Sequence, residues 1–391
     1  MSVPAPISGL SARATDLRDL LIRWCDQNSG SGNETGLAAM LAQLKAEFSR
    51  LPGATVETPA LANSPARALR VRVRPAAPVQ VLLSGHFDTV YGATHSFQQC
   101  AQIAPDRLRG PGVADMKGGL VVMLAALQAF EQTPHAANLG YEILLGPDEE
   151  TGSLGTAPLL AECAGRHRLG LVFEPARPNG DLVHSRKGVG IVIATCHGRA
   201  SHAANAGTQG RNAIVALAEF LVSADRLPAE LPGVFVNIGQ VSGGTVPNIV
   251  PDRAEASIDL RVTHAADWET ALARLRALAG PINAREGFRL ELAGDLRRPP
   301  MERHPVADAA LATWQRAAAD LRLAPFASIH SGGGSDASNL SAAGLPCLDG
   351  LGPIGDRLHS PEEWVLLPSL VERAQVAALF LHRAATGEIN L

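Results

Sequence analysis

The stretch VQVLLSGHFDTV, residues 79–90, decides the fold class of this chain. Residues 79–84 form an apolar run typical of a buried strand, and His86 and Asp88 follow directly after it. Open α/β sheets present their functional residues at the carboxyl ends of their strands. The stretch therefore predicts a core strand that delivers a histidine and an aspartate to a functional edge.

Helix and strand patterns alternate on both sides of this stretch. The apolar spacing predicts helices at residues 17–25, 40–48, 116–130, 157–163 and 308–321, and strands at residues 69–73, 141–145 and 169–173. The strand at 69–73 alternates apolar residues with arginines, so we expect it to be half-exposed. The alternation predicts an α/β fold with a central, mostly parallel sheet flanked by helices.

The pattern changes near Arg186. Longer strands are predicted at 189–196, 234–241 and 254–262, with helices at 212–224 and 268–278 between them. The Arg-Arg-Pro-Pro segment at 297–300 reads as a connector. We therefore expect a catalytic domain formed by residues 1–185 and 298–391, interrupted by an inserted α+β lid domain at 186–297.

The bulk composition excludes several classes of partner. The 391 residues include 34 basic and 38 acidic ones, interspersed along the chain, so no basic patch indicates nucleic acid or a membrane surface. The N-terminus has no signal-peptide pattern and no segment reads as a membrane helix, so we expect a cytoplasmic protein. The five cysteines are widely spaced without a C-x-x-C pair, which indicates reduced thiols.

Further motifs place acidic residues in turns or after predicted strands. The glycine-rich loop 110–119 carries Asp115 where a phosphate loop would need its third glycine, and a carboxylate there repels phosphate. Three adjacent acids at 148–150 follow an apolar strand, and such a cluster resists ionisation unless a cation is near. Glu174 ends another buried strand, and His359 lies in a loop before a helix.

Together with His86, these residues supply two histidines and several carboxylates, which are ligands that suit zinc or manganese. A single metal ion does not need this many ligands. Two ions about 3.5–4 Å apart, bridged by one carboxylate, polarise a carbonyl and activate a shared water, which leaves one carboxylate free as general base. The sequence therefore predicts a two-metal hydrolytic site.

In the same order along the chain, these motifs resemble the five metal-site motifs of the di-zinc carboxypeptidase and aminoacylase family. The family includes glutamate carboxypeptidase, acetylornithine deacetylase and succinyl-diaminopimelate desuccinylase, and the likeness, which covers residues 15–385, is greatest to the bacterial glutamate carboxypeptidase branch. The resemblance implies two zinc ions per subunit, with manganese or cobalt as substitutes. It assigns His86 and Glu174 to one ion, Glu150 and His359 to the other, and Asp115 to both.

The same resemblance implies roles for residues around the ions. Glu149 would be the general base, and Asp88 would orient His86. The family often has a cis peptide bond after the bridging aspartate, which here is the bond between Asp115 and Met116.

Other motifs resemble the segments with which the family reads its substrate. By this resemblance, His202 would reach the active site of a neighbouring subunit and help to stabilise the oxyanion. Asn248 would contact the substrate, and Gly333 and Gly334 would belong to a glycine-rich substrate loop. Arg261 lies on the polar face of a predicted strand, where the glutamate carboxypeptidase branch has an arginine that grips the substrate carboxylate. Without the resemblance, His202 and Arg261 would read as ordinary surface residues.

The resulting hypothesis is a zinc-dependent metallocarboxypeptidase or amidohydrolase, homodimeric through the inserted domain. It would cleave an amide bond next to a free carboxylate in a small molecule or short peptide, with no nucleic-acid or membrane partner. An N-acyl amino acid deacylase, of the acetylornithine deacetylase or desuccinylase type, is the alternative. A catalytically inactive binding homologue is a further alternative, which the complete ligand set disfavours. Serine-hydrolase (G-x-S-x-G) and H-E-x-x-H motifs are absent from the sequence.

Overall fold

The computed structural model describes residues 3–62 and 64–389. This part of the chain forms two compact units. The first unit comprises the described residues up to Ser185, the segment Arg303–Ser331 and the described residues from Ser335 onward. The second unit comprises Arg186–Glu302 and Gly332–Gly334.

The helices and strands are numbered in chain order. The α-helices are α1 Ala5–Ser8, α2 Ala14–Cys25, α3 Glu34–Phe48, α4 Lys117–Phe130, α5 Ala157–Ala164, α6 Ala213–Asp225, α7 Leu227–Glu230, α8 Ala265–Asn283, α9 Pro305–Asp320, α10 Asp336–Ala342 and α11 Leu367–Ala385. Short 3-10 turns lie at Gly9–Arg13, Ala136–Asn138, Glu149–Thr151 and Ala203–Asn205. The strands are β1 Thr55–Glu57, β2 Ala60–Leu61, β3 Ser64–Arg67, β4 Leu69–Val73, β5 Val79–His86, β6 Ala101–Ala104, β7 Arg107–Arg109, β8 Leu139–Gly146, β9 Leu169–Val172, β10 Leu182–Arg186, β11 Gly188–His197, β12 Val234–Gly243, β13 Arg253–Val262, β14 Arg289–Arg298, β15 Ser328–Ser331, β16 Cys347–Leu348, β17 Gly355–Asp356 and β18 Trp364–Leu366.

The first unit is built on a mixed sheet with strand order β1-β4-β8-β5-β9-β16. Strands β8, β5, β9 and β16 pair in parallel, whereas β4 and β1 join the sheet in antiparallel pairs. Parallel strands need crossover connections, which cover the sheet with helices. The apolar helix α4 is accordingly buried almost throughout, and it packs against α2 and α11. The structure confirms the predicted α/β fold class.

One expectation for this sheet is wrong. The strand β4 is not half-exposed, because Arg70 on its polar face is only 5% exposed. The guanidinium lies 3.1 Å from the carboxylate of Glu142 on β8 and 3.0 Å from that of Glu162 on α5. A buried charge is tolerated where it is paired and hydrogen-bonded. These ion pairs therefore allow both faces of β4 to be covered.

The second unit has an antiparallel sheet with strand order β12-β13-β11-β14, and the helices α6 and α8 pack against it. Along β13, the small and apolar side chains alternate inward as predicted and are buried with those of the helices, at Ala254, Ala256, Ile258 and Leu260. A period of two is what a sheet with one covered face requires. Among residues 3–62 and 64–389, no helix is both long and apolar enough to cross a membrane.

Candidate metal centre

The ends of neighbouring strands in the first unit bring together the residues that the motifs singled out. His86 is the last residue of β5, Glu150 lies in the 3-10 turn after β8, and Glu174 follows β9. Asp115 directly precedes the residue that caps α4, and His359 lies between β17 and β18. Because β8, β5 and β9 are parallel neighbours, their carboxyl ends lie at one edge of the sheet.

Asp115 is at the centre of this cluster. Its Oδ1 lies 3.1 Å from Nε2 of His86, and its Oδ2 lies 3.2 Å from Nε2 of His359. Nε2 of His86 is also 3.7 Å from Glu174 Oε1, and Nε2 of His359 is 3.1 Å from Glu150 Oε2. The two oxygens of Asp115 therefore face two separate groups, each formed by one histidine and one glutamate. The peptide bond between Asp115 and Met116 is cis, as the resemblance implied.

The protonation properties of the cluster follow from its burial and its charges. Burial lowers the pKa of His86, but hydrogen bonds with Asp115 and Asp88 outweigh this effect and raise the pKa well above its usual value. Hydrogen bonds to Asp115 and Glu150 raise the pKa of His359 to about 11. The carboxylates of the cluster thus favour positive charge at both imidazoles. A cluster with this excess of acceptors binds positive charge.

The donor set fits a divalent metal ion. One nitrogen or oxygen atom from each of His86, Asp115 and Glu150 can be chosen so that all three atoms lie within 4.8 Å of one another. Within the described chain, Oε1 of Glu150 is buried and accepts no hydrogen bond, although buried carboxylate oxygens normally have a partner. Imidazole nitrogens and carboxylate oxygens without thiolates suit zinc, manganese or cobalt. A cation at this position would satisfy the orphaned oxygen.

Asp88 holds several parts of this site at once. Its Oδ1 lies 3.3 Å from Nδ1 of His86 and accepts the backbone N–H of Glu149 at 3.0 Å. Its Oδ2 accepts the backbone N–H of Glu150 at 3.1 Å and the hydroxyl of Ser31 at 2.7 Å. The carboxylate is fully buried. Asp88 therefore connects His86 to the backbone of the acidic turn, which the sequence did not reveal.

The predicted general base lies in the same turn. Glu149 is half-buried, and the hydrogen bond from its N–H to Asp88 fixes its backbone. Burial raises the pKa of Glu174 well above its usual value, and the charges of Asp115 and Glu149 raise it further. Glu149 is therefore close enough to influence the charge of a buried member of the cluster.

The remaining candidate residues belong to the second unit. His202 is exposed, its Nδ1 accepts the N–H of Ala204 at 3.2 Å, and the N–H of Ala203 donates to the carbonyl of the exposed Asn248 at 2.9 Å. The structure thus brings the His202 and Asn248 segments together. Both side chains are free to meet another molecule.

Arg261 lies beside the glycine-rich loop. Its guanidinium forms a two-point pair with Asp259, at 2.9 and 3.0 Å, and donates to the carbonyl of Gly332 at 2.8 Å. The carbonyl of Gly333 accepts a hydrogen bond from Arg186 at 3.0 Å, and Gly334 follows in the same loop. Arg261 is therefore already engaged by a carboxylate from its own strand.

The sequence predictions missed Glu363. It is 1% exposed, although the preceding Pro361 and Glu362 are exposed, and its carboxylate accepts hydrogen bonds from the loop that carries Asp115. No periodicity or motif marks one acidic residue of this polar loop as buried. Only its spacing after His359 could have drawn attention to it.

Several known proteins are similar to this chain over most of its length. Carboxypeptidase G2 of Pseudomonas sp. (strain RS-16) is 26% identical over 385 residues, which cover 96% of this chain and 92% of that protein. Aminopeptidase PepT from Bacillus cereus has a similar fold, with a TM-score of 0.80 at 21% identity over 95% of this chain and 99% of that one. The YXEP protein of Bacillus subtilis, a dinuclear metal-binding peptidase from the M20 family, has a TM-score of 0.70 at 16% identity over 96% of this chain and 99% of that one.

A family model described as peptidase family M20/M25/M40 matches residues 82–383. This range includes every motif on which the predicted resemblance rested, and the match confirms that resemblance. The chain therefore belongs to peptidase family M20/M25/M40, a family of metallopeptidases.

Proposed function

We propose that the protein is a two-metal carboxypeptidase-like hydrolase, which cleaves an amide bond next to a free carboxylate. The observation that carries the proposal is the position of Asp115, whose two oxygens face two different histidine–glutamate groups. A bridging carboxylate between two ions needs this arrangement. The orphaned oxygen of Glu150 is a further reason to place a cation here.

In this proposal, His86 and Glu174 would hold one ion, Glu150 and His359 would hold the other, and Asp115 would contribute to both. Zinc is the proposed metal, with manganese or cobalt as substitutes, because imidazoles and carboxylates suit all three ions. When bound, the pair of ions polarises the amide carbonyl and lowers the pKa of a water molecule.

The protein side chains supply the proton transfers. Glu149 takes a proton from the attacking water and returns it to the leaving amine. Asp88 supports this role, since its carboxylate accepts the backbone N–H groups of both Glu149 and Glu150. It thereby fixes the backbone of the proposed base next to the backbone of the proposed ligand Glu150. Asp88 also faces Nδ1 of His86, which leaves Nε2 to face the cluster.

The second unit is proposed to read the substrate. Arg261 offers a guanidinium fork, which binds carboxylates at two points. The fork is paired with Asp259, so in this proposal the substrate carboxylate displaces that side chain from Arg261. Asn248 and the Gly333–Gly334 loop would contact the rest of the substrate, and His202 would help to stabilise the oxyanion in a neighbouring subunit. Carboxypeptidase G2 supports a substrate with a terminal carboxylate.

A homodimer through the second unit is part of the proposal. The helix α6 exposes Val215 at 53% and Val222 at 56%, and the edge strand β12 exposes Val241 at 57%. An edge strand has unpaired backbone groups, and exposed apolar patches often mark interfaces. Sedimentation should give twice the chain mass of 40.9 kDa, and a fully active monomer would contradict the dimer. The cytoplasmic location stays a prediction.

The first test measures metal content and substrate preference together. Protein purified without chelator should contain close to two zinc ions per chain. Hydrolysis of an acyl-glutamate or a peptide with C-terminal glutamate should stop after metal stripping and return with zinc.

The substrate panel separates the proposed activity from its alternative. Preference for N-acetyl or N-succinyl amino acids over peptides would identify the deacylase alternative. Turnover only of substrates that lack a free carboxylate would refute the proposed substrate class. A chain that binds no metal and hydrolyses none of these compounds would instead be an inactive binding homologue.

A further inference from the structure

Glu363 is a buried carboxylate to which the proposed reaction assigns no role. It directly precedes β18 and is only 1% exposed. Burying a carboxylate is costly unless hydrogen bonds compensate for the lost water. The contacts that compensate for burial of Glu363 therefore indicate what the residue does.

The backbone contacts of Glu363 converge on the loop that carries the central aspartate. Its Oε1 accepts the N–H of Ala114 at 2.9 Å and the N–H of Asp115 at 3.0 Å, and its Oε2 accepts the N–H of Gly112 at 3.1 Å. The backbone is also joined here, since the N–H of Gly110 donates to the carbonyl of Glu363 at 3.2 Å. The carboxylate of Glu363 thus binds three backbone N–H groups within the Gly112–Asp115 segment.

Tyr91 extends this contact to two more segments of the site. Its hydroxyl lies 3.0 Å from Oε2 of Glu363 and 2.8 Å from the carbonyl of Ser360, so its proton is shared between these two acceptors. Tyr91 belongs to the loop after β5, which carries Asp88, and Ser360 directly follows His359. The Tyr91–Glu363 pair therefore connects the segments that carry Asp88, Asp115 and His359.

We propose that Glu363 is a positioning residue of the metal centre, which holds the Gly112–Asp115 backbone so that Asp115 lies between His86 and His359. The two carboxylate oxygens of Asp115 contact His86 and His359, so a small rotation of the Asp115 backbone would misplace both oxygens. Outer contacts that orient ligands have a strong effect on metal affinity. This inference rests on the proposed function, because it assumes that Asp115 and His359 bind metal.

The geometry separates this role from ordinary structural stabilisation. Glu142 is a similarly buried carboxylate of the same unit, at 3% exposed, but its partners are Arg70, Arg166 and His167. It contacts none of the proposed ligands through these ion pairs. Glu142 is therefore the matched control for a buried glutamate.

The test measures zinc affinity rather than turnover. Metal-stripped full-length wild type, Glu363→Gln, Tyr91→Phe and Glu142→Gln are each titrated with Zn²⁺ against a chromophoric chelator, and their thermal unfolding is recorded. Glu363→Gln keeps the volume but turns one acceptor oxygen into a donor that faces two other donors. We expect about 10- to 100-fold weaker zinc binding for Glu363→Gln. Tyr91→Phe should weaken binding less, and Glu142→Gln should lower the melting temperature but leave zinc affinity unchanged.

Each outcome decides the inference. Wild-type zinc affinity in Glu363→Gln, or an equal loss in Glu142→Gln, would overturn it. If Glu363→Gln does not fold, Tyr91→Phe decides, and unchanged affinity in that variant would also overturn it. If the wild-type protein itself binds no zinc, the proposed function fails as well, whereas normal wild-type binding with unaffected variants removes only the role of Glu363.

Discussion

The two units hold most of their candidate residues in opposite ways, although the side chain of His359 in the first unit is 54% exposed. In the first unit, His86, Asp115 and Glu174 are at least nine-tenths buried, and hydrogen bonds and ion pairs link them to one another. In the second unit, His202 and Asn248 are exposed, and Arg261 is partly exposed. A reactive centre has to be fixed before the substrate arrives, whereas groups that read a substrate complete their contacts with it. The comparison predicts that variants of the first unit change metal binding or turnover, and that variants of the second change substrate affinity.

The largest effect is expected from Glu149→Gln in the first unit. The variant removes the proposed base but keeps the backbone hydrogen bond to Asp88. We expect kcat to fall by about 10²–10⁴-fold, the usual contribution of a general base, while two metal ions remain bound. Steady-state kinetics and elemental analysis measure these effects, with the exposed Glu269→Gln as control. Unchanged turnover would contradict the assigned role.

A smaller effect is expected from Asp88→Asn, which sharpens the link between burial and metal binding. Both oxygens of Asp88 accept backbone N–H groups, and an asparagine offers only one acceptor oxygen. Zinc should bind about 10- to 100-fold more weakly, as measured by chelator competition. Ser31→Ala removes a single hydrogen bond to the same carboxylate and should have a milder effect. Equal zinc affinity in wild type and Asp88→Asn would contradict the prediction that variants of the buried first-unit residues change metal binding.

The smallest effect is expected from Arg261→Lys in the second unit. Lysine keeps the charge but loses the two-point fork. Because a charged hydrogen bond contributes about 1.5–3 kcal/mol, KM for a carboxylate substrate should rise about tenfold or more, with metal content unchanged. Arg253→Lys is a matched control, because Arg253 lies on the same strand and pairs with Glu255 as Arg261 pairs with Asp259. A fall in kcat or in bound metal would mean that the second unit shares in the chemistry itself.

Sequence periodicity predicted many of the main elements of both units, but it missed β14, a ten-residue strand that pairs with β11. The helices α2, α3 and α4 and the strands β5, β11 and β13 lie within a few residues of their predicted positions, because each has a regular apolar pattern. The short strands β6, β7, β17 and β18 were missed, since two to four residues are too few to show a period. Local pattern also misjudged Arg70, whose burial depends on partners that are distant in sequence.

The candidate centre was predictable to a similar extent. Its members were recognisable because a strand end followed by an acid or a histidine is a local signal, and parallel strands collect such ends at one edge. The supporting contacts were not recognisable. The hydrogen bonds of Asp88 to the acidic turn and of Glu363 to the Asp115 loop join segments far apart in the chain, and the local pattern of Glu363 does not differ from that of an exposed acid.

The order of segments along the chain has a consequence for biosynthesis. The proposed ligands begin at His86 and end at His359, and the whole second unit lies between Glu174 and His359. The fold of the first unit also requires residues that are translated late, because β16 pairs with β9 and α11 covers the apolar helix α4. Domains generally fold as units, N-terminal first, while the ribosome is still translating. Here the inserted unit can fold on the ribosome first, whereas the flanking unit has to keep α4 uncovered until the C-terminal helix emerges. The metal centre of the first unit can therefore be completed only after His359 has been translated, when the whole second unit has already been synthesised.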